Sequence, residues 1–399
     1  MTITLPADYF EQRQPKKVDA PTISPTGPPT TQLHLAMDKV IAKTLRVDVT
    51  ISHDALFGGA SKACVALFPH WKETDLAFVQ CKDGITNKLI RVTHEPTQEN
   101  VLVRAYGKGS EHLIDRRREI INILTLSGQG LAPPLYGRFN NGLIYGYIPG
   151  EVFSLEDMRD KHKSKLIAQK LAKWHKVRYG PPISDGDSDV APELWATMWK
   201  WLKQGDPTVP AQFADPNMQK VFIKHFDMKL IRQELVNLQK RLDALNAPVV
   251  FGHNDLLYGN IVYEPDKDEA SFIDYEYGSY SYRGFDIGNH FNEYAGNVFV
   301  TQNYNRIWTN MVLLGFECDY TYYPSKSAQL EWFKEYLTSS GEDPTPETIE
   351  SLYHEVNEFA LASHFYWGLW ALVQADHSDI DFDYIDYARL RFEEYRKRA

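Results

Sequence analysis

Between Gly252 and Glu293 the chain reads GHNDLLYGNIVYEPDKDEASFIDYEYGSYSYRGFDIGNHFNE, and the spacing of polar residues inside this run restricts the fold more than any other feature. Asn260 follows Asp255 by five positions, and Asp274 closes the next apolar run. Asn260–Glu264 and Ala270–Asp274 read as short strands, with Pro265–Glu269 as the turn between them. An antiparallel hairpin centred near Lys267 sets Asn260 roughly opposite Asp274, beside Asp255. Singly, Asp255 and Asn260 are ordinary turn residues and Asp274 an ordinary surface acid. Together they offer two oxygen ligands for a hard cation, next to a carboxylate able to orient a hydroxyl. Magnesium-dependent phosphoryl transfer requires that arrangement.

A chain of 399 residues has room for two lobes, each with its own core. Residues 1–33 are rich in proline and threonine and bury too little apolar surface to offset their ordering, so they read as a flexible tail. Residues 34–149 form the expected first lobe. It opens with one or two helices up to about Trp71, punctuated by Gly58-Gly59. Strand runs follow at Leu76–Cys81, Lys88–Thr93 and Asn100–Tyr106, then a helix over 112–126 and a hairpin around Asn140-Asn141-Gly142. Pro149-Gly150 is the expected hinge. Residues 150–399 read as mainly helical outside the stretch described above, including 155–177, 194–202 and 221–245. The fold class is α+β and bilobal, a small β-rich lobe on a larger helical one.

Within the first lobe, Gly84, Thr86 and Asn87 sit between two strand runs, either as a plain hairpin turn or as a loop whose N–H groups cover phosphates. Arg104 occupies the third run where protein kinases carry a lysine, and Glu119 lies in the next helix. A guanidinium binds phosphate or carboxylate in bidentate fashion, so Arg104 suits a nucleotide site; an edge salt bridge is the plainer reading. Asp286 suits a structural role, holding the preceding loop by hydrogen bonds. Glu293 is either an exposed helical acid or a partner for an ammonium group. Trp367 and Trp370 share a helix face, as core or as an aromatic wall for a cation. His175 and His364 read as core or capping histidines.

Net charge and cysteine usage narrow the function classes. At −10 with a pI near 5.7, and no basic run beyond Arg116-Arg117-Arg118, the chain is not a nucleic-acid binder. Its three cysteines, Cys64, Cys81 and Cys318, fit no disulfide framework or zinc spacing. With no apolar signal core in Met1–Lys17 and no uninterrupted run of ~18 apolar residues, the expectation is a cytoplasmic protein that does not insert into membranes.

The stretch HNDLLYGNIVY…FIDYEYGSYSYRGFDIGNHFNE resembles the signature of eukaryotic choline/ethanolamine kinases, closer to the ethanolamine branch in its NHFNEYAG form. DGITNKL (83–89), VLVRAYG (101–107), LAPPLYGRFNNGLIYGYIPG (131–150) and SHFYWGLWALVQA (363–375) extend the resemblance over residues 76–399. It implies a protein-kinase-like, aminoglycoside-phosphotransferase-like fold binding ATP and Mg2+ between the lobes, and phosphorylation of ethanolamine at the head of phosphatidylethanolamine synthesis. Choline is the alternative substrate, and a larger aminated alcohol such as an aminoglycoside a more distant one. By the same resemblance Asp255 is the catalytic base, and Asn260 and Asp274 are the magnesium ligands. Arg104 and the Gly84–Asn87 loop contact ATP phosphates. Glu293, Trp367, Trp370 and a tyrosine at Tyr384 or Tyr387 surround the amine. HND in place of HRD, DYE in place of DFG, Arg104 in place of lysine and the missing glycine triplet separate the chain from kinases of proteins.

Overall fold

Five strands between Leu76 and Gly146 pair into one antiparallel sheet. The computed structural model describes residues 41–81, 87–107, 115–178, 191–203, 209–210, 212–296, 298–299, 316–378 and 382–399. The proline-rich tail expected over 1–33 lies outside them. Strands β1 (Leu76–Cys81), β2 (Asn87–His94), β3 (Glu99–Tyr106), β4 (Leu135–Phe139) and β5 (Gly142–Gly146) take the order β1-β2-β3-β5-β4. Arg104 is therefore central rather than on an edge, opposite Leu89 of β2 and Leu143 of β5. Helix α1 (Leu56–Leu67) packs Ala60, Ala63 and Cys64 with Ile90, Val92 and Val103 of the sheet. Gly58-Gly59, expected to interrupt the chain, lies inside α1. Ile51 explains the second glycine: a Cβ on Gly59 would stand 2.9 Å from its Cγ2 atom, so the glycine serves close packing. Helix α2 (Arg116–Gly128) starts on Asp115, whose carboxylate accepts the N–H groups of Arg117 and Arg118.

Beyond Gly150 the strands are short, and besides the pair Val298–Phe299 and Phe316–Glu317 they are β6 (Glu151–Val152), β7 (Val249–Gly252), β8 (Ile261–Glu264), β9 (Glu269–Phe272) and β10 (Ser279–Tyr282). They form a three-stranded sheet, β6-β8-β9, and a two-stranded one, β10-β7. The helices are α3 (Leu155–Arg159), α4 (Lys161–Trp174), α5 (Leu194–Leu202), α6 (Pro216–His225), α7 (Met228–Asp243), α8 (Arg283–Asn292), α9 (Lys326–Ser340), α10 (Pro346–His377) and α11 (Tyr384–Arg398). Two expected long helices are each broken. Asp160 caps α4 through the N–H groups of His162 and Lys163, and Asp227 caps α7 through those of Lys229 and Leu230. An aspartate that satisfies free helical donors starts a new helix more readily than it continues an old one.

The hairpin β8–β9 differs by one residue from the expected register. Glu264 pairs with Glu269 across a four-residue turn, 265–268, which Asp268 closes in the left-handed region at φ +51°. Asn260 consequently faces Ile273, whose N–H donates to its carbonyl at 3.0 Å, and Asp274 follows at φ +64°. The two polar residues still meet at the open end.

One buried acid holds this end in place. After β7, the N–H groups of His253 and Asn254 donate to the two oxygens of Asp286 at 2.8 and 2.7 Å. His175 Nε2 lies 2.9 Å from the same carboxylate, and its Nδ1 lies 2.7 Å from the Tyr336 hydroxyl. Asp286 rides on α8, which presses Gly288 against α10. A Cβ on Gly288 would lie 2.8 Å from both Val356 O and Ala360 N. We expect Gly288→Ala to destabilise the protein by about 1–3 kcal/mol, read as a lower urea midpoint, because backbone rather than a flexible side chain must yield.

Burial pushes the Asp286 carboxyl up, but the His175 ring and the loop N–H groups outweigh it and hold the group below the ordinary carboxylate range. Its stabilising contribution is complete above the unfolded value of about 3.9 and fades as pH falls through the lower folded value. Asp286→Asn should lower stability at neutral pH by roughly 2 kcal/mol or more. It should also flatten the decline of stability below about pH 4, measured by denaturation at a series of pH values.

Candidate active site

The turn that presents Asp255 is held from several sides. Asn254 takes φ +65°, and its amide donates to Tyr277 O and Ser279 Oγ, both at 3.0 Å. Leu257 N–H closes the turn on the carbonyl of Asp255, two residues before it. Asn260 Nδ2 donates to Asp255 O at 2.8 Å and to the Asp255 carboxylate at 3.1 Å. Nδ2 is thereby committed to Asp255, and Asn260 Oδ1 is left to accept elsewhere.

Across the hairpin, Asp274 accepts from Arg104 Nη1 at 2.9 Å while a third of its side chain stays exposed. Arg104 also bonds Glu276 through Nη2 and lies 3.2 Å from Glu119. Arg116 shares the two glutamates, at 3.1 Å from Glu119 and 3.5 Å from Glu276. Three carboxylates thus surround two guanidinium groups, with Asp255 close by. The surplus negative charge is visible in two groups. Burial, followed by Asp274, pushes Glu276 up to about 8. Burial, followed by Asp274, Glu293 and Glu276, holds Asp255 well above the ordinary carboxylate range. A cation would relieve both.

The donors present fit magnesium. They are a carboxylate and an amide oxygen, and hard cations prefer oxygen. Among the described residues no group of three or more His, Cys, Asp or Glu is placed to enclose a metal. Two protein ligands leave positions for water and phosphate oxygens, the habit of Mg2+ rather than of a structural calcium or zinc site.

The remaining expected nucleotide residues divide. Gly84 and Thr86 lie outside the described residues. Asn87 opens β2 opposite Tyr106, and of its placement only the backbone is described. Glu119 is fully buried and acts on Arg104 and Arg116, so any influence on a nucleotide runs through them.

On the other side of Asp255, Glu293 ends α8 with Arg391 Nη1 3.6 Å away. Trp367 Nε1 donates to Asn289 Oδ1 at 2.7 Å, and Trp370 Nε1 to the Tyr277 hydroxyl at 3.0 Å. The two indoles meet edge to face at 5.4 Å, and Tyr384 lies 5.8 Å from Trp370 with its hydroxyl on Ser378. Asn289 Nδ2 reaches the carbonyl of Asn254 at 3.3 Å, so the indole wall and the Asp255 turn are joined by one amide. Sequence reasoning missed Asn289, Tyr277 and Arg391. Arg391 had a legible signal. It stands seven residues after Tyr384 and four after Tyr387, on the buried face of α11, where a charge needs a partner.

The family model described as choline/ethanolamine kinase matches residues 78–396. Ethanolamine kinase 2 of Mus musculus is 40% identical over 352 residues, spanning 88% of this chain and 83% of that protein. Ethanolamine kinase 2 of Homo sapiens is 38% identical over 351 residues, with the same coverage. Among solved structures, an ethanolamine kinase of Plasmodium vivax superposes with a TM-score of 0.72 at 28% identity, covering 94% of this chain and 98% of that one. A choline kinase of Cryptosporidium parvum, 22% identical, superposes at 0.66 over 87% and 95% of the two chains, a likeness of fold. The antiparallel sheet backed by a larger helical part is the bilobal protein-kinase-like fold of these enzymes. On its sequence match from strand β1 to helix α11, the chain belongs to the choline/ethanolamine kinase family.

Proposed function

We propose that this protein transfers the γ-phosphoryl group of ATP to the hydroxyl of ethanolamine, giving phosphoethanolamine and ADP. The observation that carries the reading is the meeting of Asp255, Asn260 and Asp274 at one hairpin end, with Arg104 reaching Asp274 from the sheet. Relatives about 40% identical named ethanolamine kinases supply the acceptor. In this reading the nucleotide lies between the part formed by residues 34–149 and that formed by 150–399. Among the described residues no helix is long and apolar enough to cross a membrane, which suits a reaction between water-soluble substrates in the cytoplasm.

Asp255 orients the hydroxyl and takes its proton as the phosphoryl group departs. Asn260 Oδ1 and Asp274 would hold Mg2+, which would supply positive charge against the phosphates. Arg104 keeps Asp274 in place and presents a fixed positive charge toward the phosphates. Glu293 receives the ammonium, with Trp367, Trp370 and Tyr384 around it. A primary ammonium brings three N–H donors that need oxygen acceptors, whereas a trimethylammonium brings none and needs aromatic faces.

A coupled ADP-release assay with both amines separates the two acceptors. We expect the higher kcat/KM with ethanolamine; a higher value with choline overturns the assignment. Asp255→Ala should lower kcat by about 10²–10⁴-fold while nucleotide binding persists, and near-full turnover would remove Asp255 from its role.

A further inference from the structure

Helix α11 carries a positive charge that phosphoryl transfer does not use. Arg391 is 1% exposed, yet it touches the amine side of the site. Nη1 lies 3.6 Å from Glu293 Oε1, and Nη2 donates to Ser363 Oγ at 3.0 Å. The Ser363 hydroxyl in turn donates to Asn289 Oδ1 at 2.8 Å, the oxygen that also accepts the Trp367 N–H. Through Asn289 the chain of bonds ends on Asn254, the residue before Asp255.

A carboxylate with only 11% of its side chain exposed needs a partner to remain charged. The groups around Glu293 offer few alternatives. Asp255 adds negative charge from the turn, and Cys318, Tyr320 and Tyr387 share the surroundings of Glu293 and Arg391. His364, fully buried nearby, is kept neutral by burial and then by Arg391 and Arg398. Among the described residues Arg391 is the cation paired with Glu293.

We propose that Arg391 is a positioning residue for the substrate amine, its guanidinium fixing Glu293 as a charged and oriented acceptor for the ammonium. This assignment rests on Glu293 being the ammonium partner. Burial holds the Glu293 carboxyl above its ordinary range, and Arg391 limits the rise. Without Arg391 the group stays neutral until a higher pH, and each unit of rise costs about a factor of ten in the charged fraction. The substrate ammonium remains protonated to about pH 8.5, so a pH dependence of KM reports the carboxyl.

The test is the KM for ethanolamine of the full-length enzyme from about pH 6 to pH 8.5. The wild type should give the flatter profile. Arg391→Met should raise KM roughly tenfold at the acid end and recover toward the wild type as pH rises. Arg391→Lys, which keeps the charge, should restore most of the wild-type profile. Should the methionine variant not fold, Arg391→Gln gives the same comparison. Glu293→Gln should raise KM equally at every pH. A KM that Arg391→Met raises by one factor across the range, or lowers, overturns the proposal: the arginine would then be a packing element or a net repeller of the ammonium. An unchanged KM in Glu293→Gln overturns the reading of Glu293 itself and this inference with it.

Discussion

Asp286 accepts hydrogen bonds from the N–H groups of His253 and Asn254 and pairs with the ring of His175, and these contacts tie three elements to the turn that carries Asp255. His175 ends α4, the loop leaves β7, and Asp286 belongs to α8. An ionised carboxylate removed from water survives only when its oxygens are filled, and here they are filled by groups that would themselves be unpaired without it. The position of the Asp255 turn is thus set by mutual need among buried polar groups.

A second polar knot lies where the sheet meets the helical part. Arg104 reaches from a central strand to Asp274 and Glu276, while Asn122 of α2 donates to Tyr275 O and Gly278 O, both at 2.8 Å. The segment from Asp274 to Gly278 is gripped by a strand and a helix of the same sheet-bearing part. In protein kinases, placement of the corresponding helix and of its glutamate is a point of control. Here a fully buried asparagine binds that helix directly to the segment that follows Asp274.

The hairpin and the order of strands were legible because their signals are local: alternation, a polar turn, an apolar run closing on an acid. The register of the hairpin was off by one because the turn length depends on Asp268 adopting the left-handed region, which no alternation pattern reports. Breaks at Asp160 and Asp227 were missed because an acid within an amphipathic run reads equally well as an exposed helical residue. Gly58-Gly59 misled for a tertiary reason, since Ile51 lies eight residues from Gly59. Of the site, the meeting of Asp255, Asn260 and Asp274 was readable from spacing. Asn289 was not, because its value lies in three bonds to elements distant in sequence.

Helix α8 sets the phase of the whole centre. Asp286, Asn289 and Glu293 occupy positions i, i+3 and i+7 across it and its C-terminal cap, spanning two turns and about 10 Å of rise on one side. Gly288 lets that side be set by close contact with α10. A single residue inserted into α8 would turn everything after it by about 100° and carry Glu293 away from the turn that Asp286 anchors. The Asp255 turn and Glu293 are therefore inherited in one reading frame. Drift can alter the α8 side chains that make none of these contacts, but it cannot change the length of the helix between Asp286 and Glu293.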